Sequence, residues 1–122
     1  AYGEFATGGR KLGLREETLK QLMAPAVPPL HGFHDEALKV EAPFSLGFSK
    51  PHAGDPFGHP GSFGTPGTGG SFGFADPEAQ IGYGYVMNGA DSYLTDPRDI
   101  ALRTAMYRSI GETDPYHERA RA

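Results

Sequence analysis

The residues of this sequence with the chemistry of a site lie in two neighbouring Gly- and Pro-rich stretches. The first is Thr65-Pro66-Gly67-Thr68, inside "FGTPGTGGSFGFADPE", Phe63 to Glu78. Proline has no N–H to give to a ladder, so within a sheet it is confined to edges and bulges. A Gly-rich segment running into an edge strand leaves backbone N–H groups free to point at a ligand, which is how an oxyanion donor or a substrate-pairing rim is built. A loop that needs glycine only for its turns has the same composition, and the residues alone leave both readings open. His59, in the near-duplicate "FGHPG", reads either as a general base or donor beside that rim or as a surface loop residue.

Other constellations lead away from common chemistries. A phosphate cradle needs a strand, a Gly-rich turn and then a helix N-terminus. Here "GTPGTGG" runs into a strand, so neither a nucleotide nor any other cofactor is expected. "HGFHDE" gathers His31, His34, Asp35 and Glu36, but Pro28, Pro29 and Gly32 interrupt the helix that would bring an i, i+3 histidine pair onto one metal. These are expected to be solvated loop residues, with no metal bound, and His52 and His117 read as surface positions. A nucleophile is missing. No serine has a lysine three residues later, Ser49 and Lys50 are adjacent, and there is no Gly-x-Ser-x-Gly.

Composition narrows the class further. A formal charge of −4 on 122 residues argues against a dedicated nucleic-acid binder, which would show a basic stripe. No apolar run approaches the roughly 18 residues that cross a bilayer. With no cysteine there is no disulfide framework and no thiolate metal site. The 18 Gly and 11 Pro come close to the composition of a disordered chain, but eight Phe and six Tyr in patterned stretches are core material, so a folded chain is expected.

The elements that must position the Gly-rich rim follow from periodicity. "AYGEFATGG" has Tyr2, Phe5 and Ala6 at helical spacing before the Gly8-Gly9 stop, so residues 1–9 read as the end of a helix. With no initiator Met and no capping residue, Ala1 is expected to lie in the middle of a longer polypeptide. "REETLKQLMAP" gives a short helix over 15–24, with Glu16 and Glu17 favourable to its dipole. "FSLGFSK" puts Phe44, Leu46 and Phe48 on one side of a strand over 44–49, and residues 51–75 read as mostly loop up to Gly69 or Gly70.

Residues 71–88 alternate, turn at "ADPEAQ" and alternate again, which is an antiparallel hairpin. Its second half places Ile81, Tyr83, Tyr85 and Met87 on one face, with Gly82, Gly84 and Val86 on the other. Glycine weakens a strand unless something packs close to the backbone, so a helix is expected against the Gly side. The candidate is the C-terminal helix over 96–111, capped by Thr95 or Asp96 with Pro97 near its first position. Leu102, Ala105, Met106, Ser109 and Ile110 form its apolar stripe. Residues 112–122 read as a polar tail.

Taken together, "FGTPGTGGSFGFADPEAQIGYGYVMN" and "DPRDIALRTAMYRSIG" resemble the C-terminal end of the serine β-lactamase-like hydrolases, which include class C β-lactamases, penicillin-binding proteins, D-aminopeptidases and carboxylesterases. "YGEFATGG", "REETLKQLMAP" and "FSLGFSKP" resemble the preceding elements, so the resemblance spans nearly the whole chain. It implies an α+β fold, an antiparallel sheet packed against a C-terminal helix. The family chemistry rests on Ser-x-x-Lys, on Tyr-x-Asn and on a Lys-Thr-Gly-like box on an edge strand.

Only the third box has a counterpart here. Thr65-Pro66-Gly67 is the favoured position and His59-Pro60-Gly61 the rival; the backbone N–H near Gly67 or Thr68 would be an oxyanion donor. The departure from Lys shifts the expectation from penicillin-type carboxylate recognition toward an esterase or amidase. The resemblance therefore implies the C-terminal segment of a serine hydrolase that cleaves a small ester or amide through an acyl-enzyme. Its partner would be the remainder of the same protein, carrying Ser-x-x-Lys, without which the piece is inactive. A non-catalytic scaffold or binding module of the same fold is the alternative.

Overall fold

The computed structural model describes residues 1–91 and 96–113. The chain runs through α1 (Tyr2–Ala6), a 3-10 turn (Arg10–Leu12) and α2 (Glu16–Met23) into seven short strands. These are β1 (His34–Asp35), β2 (Val40–Glu41), β3 (Phe44–Ser45), β4 (Phe48–Ser49), β5 (Phe63–Pro66), β6 (Phe72–Asp76) and β7 (Ile81–Tyr85), and α3 (Pro97–Ser109) follows. β1 and β2 form a separate ribbon, while β3 to β7 form one antiparallel meander in sequence order. The fold is α+β.

The sheet has a core on each face, and the period of two in β6 divides them. Phe72 and Phe74 pack with Phe57 and with Tyr107 of α3, flanked by Tyr83 and Met106. On the opposite face Ala75 joins Phe63, Ala6 of α1 and Leu22 of α2, with Phe5 and Phe48 beside them. Edge-to-face rings tie this second core together, Phe48 to Phe63 at 5.2 Å and Phe5 to Phe63 at 5.7 Å between centroids. The buried Lys50 ammonium donates to the Leu22 carbonyl and sits 5.2 Å from the centre of the Phe63 ring, anchoring the end of α2.

Three expectations are corrected here. The helix against the glycine face of the hairpin is α1, not α3. A Cβ on Gly82 would fall 2.1 Å from the backbone nitrogen of Gly3, and one on Gly73 would fall 2.5 Å from the Tyr2 ring. The Tyr2–Gly3 backbone of α1 thus presses onto the sheet at Gly82 and the Tyr2 ring onto Gly73, whereas α3 lies on the aromatic face.

The expected strand over 44–49 is instead the tight β3–β4 hairpin, with Phe44 paired to Ser49. Leu46 and Gly47 both have positive φ, 52° and 84°, the conformation of a two-residue primed turn. Phe44, Leu46 and Phe48 therefore do not share a side, and only Phe48 reaches a core. β5, moreover, is a true strand inside the region read as loop.

The apolar stripe assigned to α3 is the third correction. Leu102 and Ile110 are 54% and 49% exposed, and Ala105 and Ser109 are exposed as well. Asp99, Arg103, Thr104 and Tyr107 are the buried residues instead, because the groove receiving them carries polar partners. At the start of α3 the Asp96 side chain accepts from the Arg98 N–H, so Asp96 is the cap. Thr95, the alternative cap, lies outside the described residues, as do residues 114–122 of the tail and His117 with them.

Candidate active site

β5 pairs with β6 over its whole length but meets β4 only at Ser49 and Gly64. Beyond Gly64 its outer border has no strand partner among the described residues, and Thr65, Pro66, Gly67 and Thr68 are all exposed. The register explains the proline. Gly67 N–H donates to the Ser71 carbonyl at 2.7 Å, so odd-numbered residues of β5 face β6 and the even-numbered Pro66 faces the open border, where a missing N–H costs no ladder bond. Of the two oxyanion-donor candidates Gly67 is thus committed to Ser71, while the Thr68 N–H has no partner among the described residues.

The turn carrying Thr68 is braced from behind. Gly70 N–H returns to the Gly67 carbonyl at 3.2 Å, and Asp91 N–H reaches the Gly69 carbonyl at 3.0 Å. Gly70 has φ 109°, and a Cβ there would fall 2.6 Å from Asp96 Oδ2, so only glycine satisfies both the conformation and the contact. Asp96 is in turn held by Arg98, whose Nη2 lies 2.7 Å from its Oδ2, and that hydrogen-bonded guanidinium keeps the Asp96 carboxyl below the usual range. The first turn of α3 and the chain leaving β7 therefore fix this corner of the sheet.

Beneath the turn lies a buried charged group. Asp99 accepts from the Tyr83 hydroxyl at 2.7 Å and pairs with Arg103, whose Nε is 3.0 Å from Oδ2, an ion pair rather than an aligned hydrogen bond. The guanidinium stacks on Phe72 at 5.0 Å. Burial raises the Asp99 carboxyl despite Tyr83 and Arg103, and burial raises Asp55 beside it. A small cavity of about 20 Å³ joins Asp55, Asp99 and Arg103 to Pro66 and Gly67.

His59 lies elsewhere. It sits by Asp76, at the far end of β6 from Thr65–Thr68 and roughly 13 Å away at 3.3 Å per residue. Asp76 is fully buried, and its Oδ2 accepts from the Tyr107 hydroxyl at 2.6 Å, from the His59 N–H at 3.1 Å and from His59 Nδ1 at 2.8 Å. Oδ1 accepts from the N–H groups of Glu78 and Ala79, both at 3.2 Å. On its other side, His59 Nε2 lies 3.1 Å from Glu112. The sequence reading took "ADPE" for a turn; that Asp76 also joins the 57–61 loop to α3 depends on contacts 17 and 31 residues away.

This node has a pH signature. Partial burial pulls His59 down, but the Asp76 hydrogen bond and charge, with Glu78 and Glu112, hold it above the usual imidazole value. Burial pushes Asp76 up, yet the Tyr107, His59 and Ala79 donors outweigh it and leave the carboxyl low. A raised histidine stabilises fully below its unfolded pKa, and that contribution fades as pH climbs through the folded value; a lowered aspartate contributes above its unfolded pKa and loses it as acid protonates the folded group. Stability measured from pH 5 to 9 is therefore expected to fall through the neutral range, and His59→Asn to flatten that fall. An unchanged slope in the variant would refute the assignment.

The remaining histidines do different work. His34 pairs with the exposed Glu41 at 3.7 Å, and Asp35 receives the N–H groups of Ala37 and Leu38 at 2.8 Å in the turn of the β1–β2 ribbon. His31 and Glu36 are exposed, and Glu36 pairs with Lys39. His52 is half-buried, its Nδ1 3.3 Å from the Lys50 carbonyl.

The solved structures similar to this chain include the following two. A family VIII carboxylesterase is 34% identical with a TM-score of 0.69, and a novel penicillin-binding protein homolog from Caulobacter crescentus is 31% identical with a TM-score of 0.73. Each comparison covers 88% of this chain but only 29% of the matched one. Neither a protein-family model nor a curated protein matches.

Proposed function

Because the chain belongs to the superfamily of β-lactamases, penicillin-binding proteins and carboxylesterases, we propose that it is the C-terminal segment of a serine hydrolase that cleaves an ester or amide. The observation carrying this reading is the open border of β5, which ends in an exposed Thr68 N–H with no partner among the described residues, on a turn held by the Gly67, Gly70 and Asp91 N–H bonds. In this reading Thr65-Pro66-Gly67 is the third motif and Thr68 supplies one oxyanion donor. The commitment of both His59 ring nitrogens to carboxylates supports that choice over His59-Pro60-Gly61.

The nucleophile comes from polypeptide outside this sequence, which has no Ser-x-x-Lys. A serine oxygen there attacks the carbonyl carbon, the oxyanion is held by the nucleophile's own N–H and that of Thr68, the alcohol or amine leaves with a proton, and water releases the acid. Lacking a lysine at the third motif, the rim offers a neutral group rather than a cation to its substrate, which supports an uncharged ester.

The test is the covalent intermediate. Quenching the complete protein during turnover of an activated short-chain ester is expected to show one added acyl mass on a serine outside this chain. Hydrolysis without any acylated serine would refute the reading.

A further inference from the structure

Pro66 has a second neighbourhood on its outer side. An open groove of about 470 Å³ begins there and runs between the β1–β2 ribbon and the β3–β4 hairpin, lined by Leu38, Val40, Ala42, Phe44 and Ala53. That volume lies in the range of small-ligand sites. Leu38 and Phe44 are 56% and 48% exposed, so the groove leaves large apolar side chains in water although both cores lie nearby. Its polar lining is Glu41, Ser49, His52 and Asp55, with neither Lys nor Arg. Two carboxylates and no fixed cation repel an anionic head group and tolerate a neutral chain.

We propose that this groove binds the uncharged hydrocarbon chain of the ester substrate, with the scissile carbonyl at the Pro66–Thr68 end. The proposal rests on the reading of Thr65–Thr68 as the acyl-transfer rim; what it adds is the selectivity. The groove is continuous with that rim through Pro66, it is open to solvent at Leu38 and Phe44, and its volume of about 470 Å³ accommodates several methylenes. Whether the chain belongs to the acyl or the alcohol half is decided by varying each in turn.

The experiment uses the complete protein and two ester series, one lengthening the acyl group on a fixed alcohol and one lengthening the alcohol on acetate. In one series kcat/KM is expected to rise about fourfold per methylene, the effect of burying one CH2 at about 0.8 kcal/mol, before reaching a plateau. Ala53→Trp puts an indole in the groove from an exposed position. It is expected to reduce that rise to less than twofold per carbon, so that long-chain esters lose far more than methyl acetate does.

A flat profile in both series for the unaltered protein, with acetate turned over normally, overturns the groove assignment and leaves the hydrolase reading intact. Equal loss for all esters with lowered thermal stability in Ala53→Trp also overturns it, marking the groove as a packing surface for the rest of the polypeptide. No turnover of any ester, acetate included, removes the hydrolase reading and this proposal together.

Discussion

Replacing Thr68 by proline is expected to lower kcat of the complete protein about 10²–10³-fold with little change in KM, the cost of losing one preorganised oxyanion donor. The substitution removes one atom that matters, the Thr68 amide hydrogen. No internal bond is lost with it, because that N–H has no partner among the described residues and Thr68 lies beyond the end of β5. Thr68→Ala keeps the amide and is expected to stay within about twofold of the parent. The donor acts on charge that develops only in the transition state, so the loss belongs in kcat rather than KM. Equal activity in the two variants, with equal thermal stability, would place the oxyanion elsewhere.

The largest effect on stability is expected at Asp76. Asp76→Ala should cost about 3–5 kcal/mol in denaturant unfolding, because deleting one member of a buried charged group leaves the others unpaired. Its carboxylate holds the Tyr107 hydroxyl of α3, the His59 ring and backbone, and two N–H groups in the β6–β7 turn. Three segments thus lose their common acceptor in one substitution. Asp76→Asn keeps one carbonyl oxygen for the turn and should cost less, while Tyr107→Phe should cost about 1–3 kcal/mol through the lost bond. Strong coupling between Asp76→Asn and Tyr107→Phe in a double-mutant cycle is the further expectation. A cost below 1 kcal/mol for Asp76→Ala would mean that the node does not join these segments.

The two sites lie at opposite ends of β6. Thr65–Thr68 sit beside Phe72, where β5 has run past its partner β4, and Asp76 closes the other end beneath α3. Rigidity at the Asp76 end and the Asp96 brace at Gly70 leave the turn at the rim little freedom, which is what a preorganised donor needs.

Much of this was legible in the chain itself. Alternation in "SFGFA" and "IGYGY" carries its own face assignment, because successive residues of a strand must point to opposite sides, and the α+β class is what the family resemblance implied. Proline at position 66 allowed an open border or a plain loop, because the missing N–H excludes only a place inside a paired ladder. Gly82 likewise signalled that some backbone comes close, whereas nothing among the described residues approaches Gly84.

Which backbone comes close was decided by the tertiary structure. The absence of a side chain specifies a space and not its occupant, and α1 lies nearly eighty residues away in the sequence. The same limit applies to α3, whose apolar spacing suggested one buried face while Asp99, Arg103 and Tyr107 occupy it; their burial is stable only because Tyr83, Phe72 and Asp76 receive them. Periodicity records the preference of a side chain for water or oil. It cannot record a distant hydrogen-bond partner, and in this protein such partners decide which helix face is buried and which amide at the rim stays free.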